Sequence, residues 1–349
     1  MTDPITLEDM ASHGPHGGLM SSRRAALAAG LAFTGVPALN ALIGPGRANA
    51  ATSFTTPGGA SMTGPTYDLT TGRGNVDAYL KLTSNLDMES THYGWIEGLV
   101  MGVAPGGPLK NICGFRGFGC NRLLPYDGPE YGYRRVLREV VFYTDLETGE
   151  ILEEMENPYT GEMVRVVPVA NDPFNAIFRE SWPEAPSYGG LNTEVREPKP
   201  FILNWNIIGG KLMMEIHVHL YYPNALDPKV WVRESSGPMN RVTETFIYSA
   251  SLDDLQNPEL TTIPSTGAWG RTTPWLPWLL MGQAPGHCQY NCMFADVKGP
   301  EDMPDQKIVE YIAKNYPKFM DAPSEWEEPS LSSLEWYARE QEPAPPGGV

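Results

Sequence analysis

The run Met214-Glu215-Ile216-His217-Val218-His219-Leu220-Tyr221-Tyr222 is the densest collection of chemically competent side chains in the sequence. Side chains alternate along a strand, so Glu215, His217, His219 and Tyr221 share one face, and Ile216, Val218, Leu220 and Tyr222 share the other. Two imidazoles beside a carboxylate can act as a general base with its orienting partner, or place two nitrogens on one divalent metal ion. The ordinary alternative is that this face points at water and Ile216, Val218 and Leu220 fill the core. A solvated strand face usually shows Lys, Glu and Thr, and the choice of His, His and Tyr sets this strand apart.

Further residues are candidates to converge on that face. Asn204 and Asn206 lie across the Gly209-Gly210 turn, and Arg138 or Glu139, Tyr143, Arg241 and Glu244 sit on other predicted strands. His92 and His287 fall in predicted loops, as surface residues or rim ligands. Trp275 and Trp278, in Trp275-Leu276-Pro277-Trp278, either wall an apolar ligand pocket or pack as core and lid. The His-x-His spacing invites comparison with the cupin metal signature, but no carboxylate follows until Asp227. Serine-hydrolase elbows, phosphate loops, dinucleotide fingerprints and His-Glu-x-x-His zinc helices are absent.

The chemistry these residues predict is cofactor-free acid–base catalysis of lyase, isomerase or hydrolase type, on a small, largely apolar molecule of aromatic, terpenoid or steroid kind. His217 or His219 is the acid–base group, Glu215 orients it, and Tyr221 or an arginine stabilises negative charge. Asn204, Asn206, Arg241, Trp275 and Trp278 are the predicted substrate contacts. A version assisted by a divalent metal on His217 and His219 uses the same site. Two rivals are a non-catalytic periplasmic carrier of such a molecule and a structural envelope protein.

Such a face needs a scaffold of strands. Period-two patterns predict strands at 94–104, 110–118, 133–144, 150–155, 162–170, 175–180, 201–208, 211–222, 241–251, 272–281 and 290–298, joined by turn signals such as Glu147-Thr148-Gly149 and Gly209-Gly210. Short connections favour an antiparallel meander, and the problem of unpaired edges favours closure into a lipocalin-like β-barrel, with a sandwich as the alternative. Helical spacing appears at 75–86 and again at 305–319, the latter a C-terminal helix packed on the barrel.

The ends predict where the protein works. Arg23-Arg24, a weakly apolar run to Ile43 and Ala48-Asn49-Ala50 form a twin-arginine signal peptide over residues 1–50, implying export by that machinery to a periplasmic or extracellular site. A flexible lead-in at 51–67, one β-rich domain at 68–323 and a tail at 324–349 complete the expected organisation, with disorder beyond Glu340. The net charge of −17 disfavours nucleic acid as a partner, and no later stretch is apolar enough for a membrane span. Cys113, Cys120, Cys288 and Cys292 are expected to form two disulfides in an oxidising compartment, with a four-thiolate zinc site or free thiols as alternatives.

Three segments together resemble the bacterial and fungal domain-of-unknown-function family numbered 1838. They are Tyr143-Thr144-Asp145 through Asn157-Pro158-Tyr159-Thr160-Gly161-Glu162, then Asn171-Asp172-Pro173, then Trp275-Leu276-Pro277-Trp278 with Met281-Gly282. The resemblance implies one domain and supplies no reaction, cofactor or catalytic residue.

Overall fold

The computed structural model describes residues 64, 66–182, 198–328 and 330–345. The predicted signal peptide lies outside the described residues, as does nearly all of the lead-in. Ten strands form one antiparallel sheet, and two short strands form a separate hairpin. In chain order the strands are β1 (His92–Val103), β2 (Lys110–Pro125), β3 (Gly132–Thr144), β4 (Glu154–Glu156), β5 (Met163–Arg165) and β6 (Val169–Asn171). They continue with β7 (Ala176–Arg179), β8 (Asn204–Ile208), β9 (Lys211–Pro223), β10 (Met239–Ser251), β11 (Thr266–Thr273) and β12 (His287–Val297). The sheet runs β6-β3-β2-β1-β12-β11-β10-β9-β8, with β7 also on β3, and β4 pairs with β5.

The expected mainly β, antiparallel architecture is present. The ladder does not return to its start among the described residues, so strand pairing does not close it into a ring. The segments leaving β7 and entering β8 do meet, at an isolated bridge between Ser181 and Pro200. Two predicted strands are corrected. The 162–170 segment breaks into β5 and β6, and the strand placed at 272–281 lies earlier, as β11, because Pro274 and Pro277 lack the N–H a ladder needs.

One apolar core fills the concave side of the sheet. It draws on Ile96 and Val100 of β1, Phe115 of β2, alternate residues of β9 from Leu212 to Tyr222, and Phe246 and Tyr248 of β10. Helix α1 (Gly72–Thr83) lies in this concavity with Val76, Tyr79, Leu80 and Leu82 buried, its start capped by the Thr71 hydroxyl accepting from the Gly74 N–H. Lys81, fully buried, donates from Nζ to the carbonyls of Leu255 and Asn257 and so ties α1 to helix α2 (Leu252–Gln256).

On the convex side, β1, β2 and β3 are covered by helix α3 (Gln306–Asn315). Its Ile308, Val309 and Ile312 pack on Trp95, Phe118, Val140 and Phe142. On the convex side of β9, His217, His219 and Tyr221 are exposed among the described residues. The sheet is therefore buried on both faces at one end and on one face at the other.

The chain beyond residue 323 is more than a tail. Helix α4 (Ser333–Glu340) begins with a capping box, in which Ser332 and Glu335 satisfy each other's backbone N–H groups, and its flanks fasten to the sheet. The Asn175 side chain donates to the Glu327 carbonyl at 2.6 Å, and the Ala344 N–H donates to Glu234 Oε1 at 2.5 Å.

All four cysteines are buried free thiols, which corrects the expected disulfides. Cys113 on β2 and Cys288 on β12 face the same core across β1, where their cross-strand partners are Val100 and Gly102. Two strand spacings, roughly 10 Å, exceed the reach of a disulfide. Burial pushes the Cys288 and Cys292 thiols up to about 12, so neither forms a ready thiolate.

Candidate functional site

The predicted histidine face exists as a unit and looks outward. His217 Nε2 lies 3.1 Å from Glu215 Oε1, with the two side chains 49% and 35% exposed, and Thr245 Oγ1 sits 3.3 Å from His217 Nδ1. The rings of His217 and His219 are parallel, 6.4 Å between centroids. Asn204 stands opposite Glu215 in register, and Arg241 pairs with Tyr221, its guanidinium over the ring at 5.6 Å.

Strand alternation thus groups Asn204, Glu215, His217, His219 and Tyr221 as expected, but among the described residues all are exposed except Glu215, which is half-buried. Asn206, half-buried, pairs with Met213 on the adjoining strand. The expected metal ligation has no third donor here: no group of three or more His, Cys, Asp or Glu placed to hold a metal occurs among the described residues. His92, expected at the surface, is buried, with Nδ1 3.2 Å from Asn121 Nδ2 and Nε2 3.3 Å from Asp296 Oδ1.

The cavity lies on the other face of the same sheet. It encloses about 380 Å³, within the range of small-molecule sites. Its floor is a row of polar side chains. Glu244 on β10, Arg271 on β11 and Tyr290 on β12 are successive cross-strand partners, and the last two line the cavity. Arg271 Nη1 and Glu244 Oε1 are 3.1 Å apart, and both side chains are nearly fully buried. Neither atom has hydrogen-bond geometry toward the other, so the contact is one of charge. Arg271 Nε likewise has no hydrogen-bond partner among the described residues. Desolvation raises the Glu244 pKa, and Arg271 opposes the rise only in part.

Tyr143 completes the floor from β3. Strands β3 and β12 are three spacings apart, roughly 14 Å in a flat sheet, yet the hydroxyls of Tyr143 and Tyr290 lie 3.0 Å apart. The curl of the sheet brings them together. Gly98 on the intervening β1 packs so closely on β12 that a Cβ there would fall 2.6 Å from Cys292 Sγ. Burial pushes both phenols well up, and the Arg271 charge partly offsets this. They therefore stay protonated as donors at neutral pH.

Trp275 and Trp278 are buried in the core and also line one side of the cavity. The Trp278 ring packs edge-on to Tyr143 at 4.9 Å, and Trp275 Nε1 donates to the Ala284 carbonyl at 2.9 Å. The turn that carries them is fixed by the Asn157-Pro158-Tyr159-Thr160-Gly161 segment. The buried Asn157 side chain donates to the Leu279 carbonyl at 2.6 Å, and Tyr159 packs on Trp275 at 5.0 Å. Leu280, which closes the turn, has φ of 56°, a strained left-handed conformation that these contacts hold. Opposite stand Val166 to Asn171, then Asn224, Leu226, Glu234 and Ser236 of the β9–β10 connection. Trp336 and Tyr337 of α4 cover the top.

Of the polar residues nominated from sequence, Tyr143 and Glu244 belong to this site, and Arg138, Glu139 and Arg241 do not. Arg138 pairs with Asp172 at 2.7 Å, and Glu139 accepts from Asn171. Sequence reasoning missed Arg271, Tyr290, Glu234 and the helix above them. Arg271 alternates with Trp269 and Thr273, and Tyr290 with Cys288 and Cys292. Those patterns would have marked both as core-facing had β11 been placed correctly.

Residues 88–341 match the family model described as Protein of unknown function (DUF1838), and the chain belongs to that family. No curated protein matches it. No helix among the described residues is long and apolar enough to cross a membrane.

Proposed function

We propose that this member of the DUF1838 family binds a small, largely apolar molecule, of aromatic, terpenoid or steroid kind, in the aromatic-walled cavity and polarises an oxygen of that molecule at the cavity floor. The observation that carries the reading is the convergence of a carboxylate-backed guanidinium, Arg271, with two hydrogen-bonded phenols, Tyr143 and Tyr290. Preorganised donors stabilise the negative charge that develops on a carbonyl oxygen as a water molecule takes the proton from the adjacent carbon, to which a proton from solvent later returns. That enolisation is a first step open to isomerases and lyases. The acid–base chemistry is thus moved from the imidazoles to the cavity floor. We read the curled ladder as an incomplete lipocalin-like barrel whose mouth the Trp275–Trp278 turn and α4 narrow.

The test is exchange of the α-protons of 2-tetralone in D2O, followed by proton NMR with the whole protein. Wild type should accelerate exchange, and Tyr143→Phe should slow it by about 10- to 100-fold, the effect of removing one oxyanion donor or somewhat less. Binding of the ketone without any acceleration would favour the carrier over the enzyme.

Export is part of the proposal, resting on Arg23-Arg24 and Ala48-Asn49-Ala50. Fractionation of cells expressing the full chain should find it outside the cytoplasm, and the Arg23→Lys, Arg24→Lys double variant should stay inside.

A further inference from the structure

Glu234 is a buried carboxyl with one oxygen already used. Its Oε1 accepts the Ala344 N–H, and its Oε2 has no hydrogen-bond partner among the described residues, although the side chain lines the cavity and the residue is only 3% exposed. A buried acceptor left unsatisfied is costly and rare, and in a binding cavity the ligand is the natural source of the missing donor.

The position is held on every side. The Gly282 N–H donates to the neighbouring Arg233 carbonyl at 2.7 Å, Arg233 forms an ion pair with Glu162, and Ser235 Oγ donates to the Leu226 carbonyl at 2.6 Å. These contacts fix the backbone on either side of Glu234, and swinging its carboxyl out to water would break its hydrogen bond with the Ala344 N–H.

We infer that the cavity's ligand carries a hydrogen-bond donor, a hydroxyl or an amine, distinct from the oxygen held by Arg271, and that Glu234 Oε2 selects it. The ligand class is then a hydroxylated or aminated ring compound with a carbonyl or carboxylate elsewhere on the apolar body. This deepens the cavity reading and rests on it. A site built to pair with a hydroxyl discriminates strongly against the analogue lacking it, because the protein's own buried group is then left unpaired. A cavity without such a partner would prefer the less polar analogue.

The experiment compares 6-hydroxy-2-naphthoate with 2-naphthoate by quenching of tryptophan fluorescence, which Trp275 and Trp278 report. Wild type should bind the hydroxylated probe about tenfold more tightly, the margin expected of one charge-assisted hydrogen bond. Glu234→Gln, which keeps an acceptor for the Ala344 N–H, should abolish that margin, read as the ratio of the two probe affinities within the variant. Equal affinities in wild type would overturn the inference and spare the cavity reading. A margin that survives in Glu234→Gln would overturn the role of Glu234. Failure of wild type to bind either probe would sink both.

Discussion

The two faces of strands β9 to β12 present opposite cases of polar chemistry in one sheet. The outer face of β9 carries Glu215, His217 and His219, the residue types most associated with catalysis, with both histidines exposed and Glu215 half-buried. The inner face carries Glu244, Arg271 and Tyr290 in a row taken out of water. Burial separates them. An exposed histidine–glutamate pair is screened and worth little, whereas a buried pair is costly to desolvate and must be matched in position. Environment, more than residue type, decides which group of side chains can hold and polarise a ligand.

The largest expected effect comes from breaking the inner pair. Arg271→Met leaves Glu244 buried without its counter-charge and should lower stability to urea by about 3–5 kcal/mol. Adding Glu244→Leu should recover most of that loss while leaving probe binding abolished. Failure of the double variant to recover would mean the pair is not the isolated charge contact described.

Next in size is Asn157→Ala, which removes the buried donor that fixes the tryptophan turn. It should cost about 1–3 kcal/mol in chemical denaturation and weaken 2-naphthoate binding, because the strained Leu280 is no longer held. A stable variant with unchanged affinity would detach the turn from the site.

The pH response sharpens the contrast further. The raised pKa of Glu244 means that the folded protein holds a proton the unfolded chain releases. That contribution is fully present below the ordinary carboxyl value of 4.5 and is lost as pH rises through the folded-state value. Glu244→Gln should flatten the stability profile over that window. The outer histidines give the smallest effect: the His217→Ala, His219→Ala double variant should stay within about 0.5 kcal/mol of wild type and keep probe affinity. Lost affinity in that variant would reverse the comparison.

Much of the fold was legible because period-two alternation is a local signal. Long strands such as β3, β9 and β10 were placed nearly to the residue, and the grouping of Glu215, His217 and His219 followed directly. Alternation says which side chains share a face; it is silent on which face turns inward, and that choice carried the site. The inner row needs the register of three strands, and the shift of β11 by several residues hid Arg271. The covering helix was lost differently. Ser332-Ser333-Leu334-Glu335 is a readable capping box, but eight residues with none buried give too weak an apolar stripe to mark a helix. The Trp275-Leu276-Pro277-Trp278 segment reads both as a pocket wall or core packing and as part of a strand at 272–281; its prolines, which cannot donate to a ladder, are the local signal against the strand.

Hydrogen exchange of the wild-type protein with and without saturating 6-hydroxy-2-naphthoate locates the ligand site most directly. The amides of 270–282 and 333–341, which frame the cavity, should gain protection while those of 213–221 remain unchanged beyond the shared ladder. Protection confined to 213–221 would return the site to the histidine face and contradict the account.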